Sequence, residues 1–157
     1  MDRAFSVLTF LIAGGAVVSG FSLRNLFRSS SSKRDPICTH PGDPSLILTT
    51  NVVLGEGKKD FMLGATQAIA DVLGKPKEFI AVAVNDGVSM MWNENESPCA
   101  LGTMTSIGGI NLENNKALQL KFEELLACHA ITGDRIYITY VDVERQNIGW
   151  NGKTFAG

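Results

Sequence analysis

The order strand, helix, strand occurs twice between residues 45 and 143, and this repeat constrains the fold more than any other feature of the sequence. Leu46-Ile47-Leu48-Thr49-Thr50 is a short run rich in β-branched residues, broken by Gly55 and Gly57, and reads as a buried strand. Phe61, Ala65, Ile69, Val72 and Leu73 then recur at helical spacing, with Asp60 favouring the start and Gly74 and Pro76 forming a stop signal. Phe79 to Val84 reads as a second strand, closed by the turn residues Asn85-Asp86-Gly87. The second unit repeats the order: a strand over Ala100 to Ile107, a helix face marked by Leu118, Phe122, Leu125 and Leu126, and a strand over Arg135 to Val143. Crossovers between parallel strands pack back with a fixed hand, so two β-α-β repeats predict an α/β (α+β) fold, a four-stranded sheet with two helices on one face. The opposite sheet face would stay apolar and wet in an isolated layer, and subunit association is the economical cover.

Charge and cysteine content exclude several functions. The 14 Lys and Arg residues against 16 Asp and Glu give a formal charge of -2, so no global basic field exists to hold nucleic acid. Three cysteines, Cys38, Cys99 and Cys128, cannot make a disulfide framework, and the two histidines, His40 and His129, sit in no metal-ligand pattern. No metal site is expected.

The first 43 residues differ from the rest. They carry five basic and three acidic residues, which leaves an excess of four negative charges on the remainder. Ala4 to Leu23 is uncharged and follows Arg3, with small residues at Ser19 and Gly20, the three regions of a signal peptide cleaved after Gly20. The rival reading is an uncleaved membrane anchor. Phe21 to Arg34 contains four basic residues, five serines and no acid, which fits either the second part of a plastid presequence or a plain linker. The sequence therefore divides into an N-terminal targeting extension and linker, 1–43, and a folded domain, 44–157. The membrane is engaged only through the N-terminal segment, and the expected destination is the secretory pathway and secretion, with a plastid or a membrane anchor as alternatives.

Several motifs in the folded part carry a family resemblance. Pro44 to Val52 (PSLILTTNV), Gly74-Lys75-Pro76, Pro98-Cys99-Ala100-Leu101, Ser106-Ile107-Gly108, Asp134 to Ile138, Asn147 to Asn151 and Thr154-Phe155-Ala156 together resemble the macrophage migration inhibitory factor family, over essentially all of residues 44–157. The resemblance implies the tautomerase fold, a homotrimer whose sheets wrap a central channel, active sites at subunit boundaries, and no cofactor. Pro44 holds the place of the family's catalytic amino-terminal proline. A terminal proline is a secondary amine with a lone pair, whereas a proline inside a chain is a tertiary amide with none to offer. Burial and a neighbouring cation lower the amine's pKa toward neutrality, where a general base works best.

By the same resemblance, Lys75 is that cation and anchors the substrate's carboxylate or carbonyl, and Ile107 contributes its backbone amide. Tyr137 comes from the adjacent subunit to close the pocket, and Phe79, Ile148, Trp150 and Phe155 line it. Thr139 stands where many members carry an asparagine reaching into the neighbour's site, so a shorter hydroxyl replaces a two-sided amide. Ser45 replaces a bulkier apolar residue beside the proline. Cys99 is followed by Ala100, Leu101 and Gly102, without the second thiol of the family's Cys-x-x-Cys, so thiol-disulfide chemistry is not expected. Two functions follow: a cofactor-free tautomerase of phenylpyruvate-like aromatic keto acids, once Pro44 is exposed, or a secreted cytokine-like protein that engages a protein receptor.

Overall fold

The computed structural model describes residues 43–157. The proposed signal, the Ser/Arg-rich segment, Cys38 and His40 lie outside the described residues. The first repeat runs through β1 (Ser45–Thr50), α1 (Gly57–Leu73) and β2 (Ala81–Asn85), the second through β3 (Ala100–Ser106), α2 (Leu112–Leu126) and β4 (Ile136–Asp142). The sheet order is β2-β1-β3-β4. Within each repeat the strands pair in parallel, and the two repeats meet through the antiparallel pair β1–β3. This is the expected two-layer architecture.

Each helix begins and ends where local chemistry permits. Asp60 lies in the first turn of α1, where a carboxylate favours the positive end of the helix dipole, and Phe61, Ala65, Ala68 and Ile69 bury one face. Gly74 ends the helix in the left-handed conformation at φ 64°, its N–H donating to the Ala70 carbonyl. In α2, Asn111 caps the start by accepting from the Asn114 N–H at 3.0 Å, and Leu118, Phe122 and Leu126 face the core. A Cβ on Gly64 would stand 2.5 Å from Leu125, so the two helices approach where α1 has no side chain.

One sheet face joins the helices in the core through Leu46, Leu48, Ala100, Met104 and Ile136. The single hydroxyl that β1 sends inward is satisfied, because Thr50 Oγ1 donates to the Cys99 carbonyl at 2.8 Å. On the other face the register stacks three rows: Asn85, Thr49, Leu101 and Tyr137; Ala83, Ile47, Thr103 and Thr139; Ala81, Ser45, Thr105 and Val141. Ile47 is 51% exposed, Leu101 45% and Tyr137 67%, so this face is open and partly apolar.

Two local features differ from the sequence reading. Phe79 belongs to a short 3-10 turn, Lys77–Phe79, rather than to the second strand, because its N–H is drawn back to the Pro76 carbonyl at 3.1 Å. After β4 the chain forms a small hairpin, β5 (Gly149–Trp150) and β6 (Lys153–Thr154). Its turn residues Asn151 and Gly152 both have positive φ, 49° and 77°, the handedness that matches twisted strands.

Candidate active site

Pro44 is fully buried at the head of β1, and its carbonyl accepts the Ala81 N–H at 3.0 Å. Above it opens a cavity of about 250 Å³ walled by Phe79, Trp150 and Phe155, with Asp43 and Glu78 as its acidic members. The 3-10 turn supplies Phe79 and the C-terminal hairpin supplies Trp150, whose ring lies 6.4 Å from that of Phe155. Phe155 is tied back through its N–H to the Ile148 carbonyl at 3.1 Å. Ile148, whose carbonyl accepts that bond, is half-buried and does not line this cavity within the single chain.

Lys75 directly follows the helix-ending glycine, and its Nζ donates to the Ile107 carbonyl at 3.1 Å. Two residues named separately from sequence are thus in contact. Ile107 sits in a tight turn just past β3. Ser106 Oγ donates to the Gly108 carbonyl at 2.8 Å, and the Gly108 N–H donates to Asp142 Oδ1 at 2.8 Å. Burial holds the Lys75 pKa below the usual lysine value, and the Arg145 guanidinium pushes it the same way, while Asp142 and Asp43 oppose them. Arg145 is itself anchored, its Nε donating to the Phe155 carbonyl at 3.1 Å. Two cations therefore stand near the pocket where the sequence offered one.

Tyr137 and Thr139 lie elsewhere. Tyr137 pairs with Leu101, and Leu101 with Thr49, which puts it two strands across and about 16 Å along the sheet from Pro44 at the usual rise per residue. Thr139 shares the middle row of the open face with Ile47 and Thr103. Neither can reach Pro44 of its own chain. Tyr137 is nonetheless held: the Trp92 ring lies 4.3 Å from it, and the Arg135 guanidinium sits 5.8 Å from the Trp92 ring centre while Nε and Nη2 donate to Pro98 and Ser97.

Arg145, Asp43 and Trp92 escaped the sequence reading, since each acts through partners distant in the chain. The Asp43-Pro44 and Asn151-Gly152 dipeptides were the usable signals. Cys99 is buried, and three residues along an extended strand span about 10 Å, so a thiol at Gly102 would lie beyond disulfide reach without rearrangement. Cys128 is exposed, and His129 packs over Gly57, where a Cβ would meet its ring at 2.6 Å. Among the described residues no group of three or more His, Cys, Asp or Glu side chains converges as a metal cage.

Two β-α-β repeats in one four-stranded sheet, with a buried proline heading a central strand under an aromatic pocket, define the tautomerase fold. The Macrophage migration inhibitory factor (MIF) family model matches residues 43–156, and the chain belongs to that family. It is 39% identical over 114 residues to the macrophage migration inhibitory factor of Meriones unguiculatus, covering 72% of this chain and 99% of the relative. It is 34% identical over 113 residues to the homolog of Trichuris trichiura, covering 71% and 99%. Among solved structures, the Trichinella spiralis protein superposes with a TM-score of 0.65 at 30% identity, covering 70% of this chain and 98% of that one. The Prochlorococcus marinus homologue gives 0.67 at 25% identity, with coverage of 71% and 98%.

Proposed function

We propose that the chain is a cofactor-free keto-enol tautomerase of phenylpyruvate-like α-keto acids, with Pro44 as general base once it is the amino terminus. The observation that carries this reading is the placement of a fully buried proline on the wall of an aromatic cavity, next in the chain to Asp43, whose charge Lys75 feels. In the intact chain the Pro44 nitrogen is an amide and has no proton affinity to offer. Freed, it becomes a secondary amine whose protonated form is penalised by burial and by Lys75, so the base is available near neutral pH. The amine removes a proton from the carbon next to the substrate's carbonyl and returns it to oxygen or carbon across the enol. Phe79, Trp150 and Phe155 hold the substrate's ring, and Lys75 pairs with its carboxylate. Ile107, held by the Lys75 ammonium, offers its backbone amide to the substrate's oxygen.

The working unit is a homotrimer in this proposal, because Tyr137 and Thr139 can complete a site only on another subunit. The open sheet face that carries them is the surface such subunits would cover. The 1–43 extension directs the chain into the secretory route before Pro44 is exposed. A fluorescent fusion of residues 1–43 reads this out, and a diffuse cytosolic signal contradicts it.

The test of the base is Pro44→Gly in a chain that begins at residue 44. Glycine keeps a terminal amine but loses the ring and the secondary nitrogen's basicity, so kcat/KM for phenylpyruvate should fall about a hundredfold. An unchanged rate would remove Pro44 from the mechanism.

A further inference from the structure

The tautomerase reading needs a free Pro44, and the residue before it has the chemistry to provide one. An aspartate preceding proline forms a weak link in a polypeptide. Its side-chain carboxyl can close a five-membered ring on its own main-chain carbonyl, and a proline nitrogen, being tertiary in the amide and strongly basic once released, departs readily. The sequence contains two such bonds, Asp35–Pro36 and Asp43–Pro44, and only the second joins the folded domain at its first strand.

We infer that the folded chain cuts itself between Asp43 and Pro44. Three features of the structure favour that bond. Asp43 Oδ1 is buried and has no hydrogen-bond partner, so one carboxyl oxygen is stripped of solvent and tied to nothing. Pro44 is fully buried with its carbonyl fixed to the Ala81 N–H, so the departing amine is already seated in the domain. The bond also borders the aromatic cavity, which gives the ring and a water room to form and react. In this inference the rate comes from attacker and target sharing one residue at a buried bond, with no external catalyst.

The step balances without an oxidant or cofactor. A carboxyl oxygen of Asp43 bonds to the Asp43 carbonyl carbon, closing a cyclic anhydride. The bond from that carbon to the Pro44 nitrogen breaks, and the carboxyl proton passes to the nitrogen, which leaves as a secondary amine. Water then opens the anhydride, leaving Asp43 as a new carboxyl terminus. The net reaction is hydrolysis of one peptide bond, and its product is the amine terminus that the proposed tautomerase requires.

The proton makes the reaction pH-dependent. Burial raises the Asp43 pKa above the ordinary carboxyl value, against the pull of its own backbone N–H and of the Lys75 ammonium. Glu78 also borders the cavity, and Arg145 and Asp142 bear on Lys75. Because the protonated carboxyl is the reactive form, cutting is fastest below the Asp43 pKa and slows as pH rises through it. The raised value extends the active range upward.

The test follows the full 157-residue chain, made by protease-free reconstituted translation, by intact mass. The fragment 44–157 should appear, faster at about pH 5 than at about pH 8. Cutting at Asp43–Pro44 should outpace Asp35–Pro36 in the same molecule by about tenfold or more, and the advantage should vanish in denaturant. Added hydroxylamine should intercept the anhydride and leave a hydroxamate on residue 43. Asp43→Ala should abolish the cut. Asp43→Glu, which keeps the carboxyl but needs a larger ring, should slow it about tenfold with the circular dichroism spectrum unchanged, separating chemistry from misfolding. Equal cutting at both bonds, cutting that persists in Asp43→Ala, or a chain that stays whole overturns the inference. A chain made to begin at Pro44 that tautomerises phenylpyruvate, while the full chain stays whole, would overturn self-cutting alone and leave the tautomerase reading standing.

Discussion

At the residue scale, Pro44 matters for what its nitrogen is bonded to, and Lys75 for the charge it places nearby. The structure seats Lys75 against the Ile107 carbonyl, with Arg145 close enough to depress its pKa. Lys75→Ala in a chain beginning at Pro44 should raise KM for phenylpyruvate about tenfold, since the substrate loses its ionic partner. It should also move the acidic limb of the pH–rate profile to higher pH, because removing a like charge raises the amine's pKa. Steady-state kinetics across pH read both effects, and an unmoved limb would mean that Lys75 does not tune the base. Pro44, Lys75, Ile107, Trp150 and Phe155 could be singled out in the sequence because each belongs to a short motif, and Phe79 because it opens the apolar run Phe79 to Val84. Arg145 and Asp43 were not, because an arginine between Glu144 and Gln146, or an aspartate ending a linker, gains meaning only from neighbours that folding brings near.

At the scale of elements, the two long helices and four strands announce themselves through periodicity, and the structure shifts only their edges. The turn at Lys77–Phe79 takes Phe79 out of β2 because proline at 76 starts a tight hydrogen-bonded turn before the sheet can begin. The C-terminal hairpin was invisible to periodicity, since strands of two residues each hold no repeat to detect. Its signal was the Asn151-Gly152 pair, whose positive φ angles build the turn. The hairpin carries Trp150 and ties Phe155, so its turn supports the pocket. Gly152→Val puts a β-branched residue at φ 77° and should cost about 1–3 kcal/mol of local strain. We expect kcat/KM to drop and the Trp150 fluorescence to shift toward that of exposed indole, with the helical signal in circular dichroism retained. Unaltered fluorescence and kinetics would show that the hairpin does not shape the site.

At the scale of the whole molecule, one chain holds Pro44 and the aromatic pocket it borders, while Tyr137 stands two strands away on the open face beside Ile47 and Leu101. That face argues for association on physical grounds, because it leaves large apolar side chains in water. Light scattering of residues 44–157 at micromolar concentration should return three times the monomer mass, and a well-folded monomer would deny Tyr137 any role at Pro44. In the proposed mechanism the same fold is inert or active according to whether Pro44 is an amide or an amine. The direct measurement compares phenylpyruvate tautomerisation by the chain beginning at Pro44 with that by the full-length Asp43→Ala chain, with intact mass taken before and after the assay. The account predicts that the trimmed chain is active near neutral pH and the uncut chain slower by about a hundredfold or more. Equal rates from the two proteins, with the long chain still whole at the end, would contradict it.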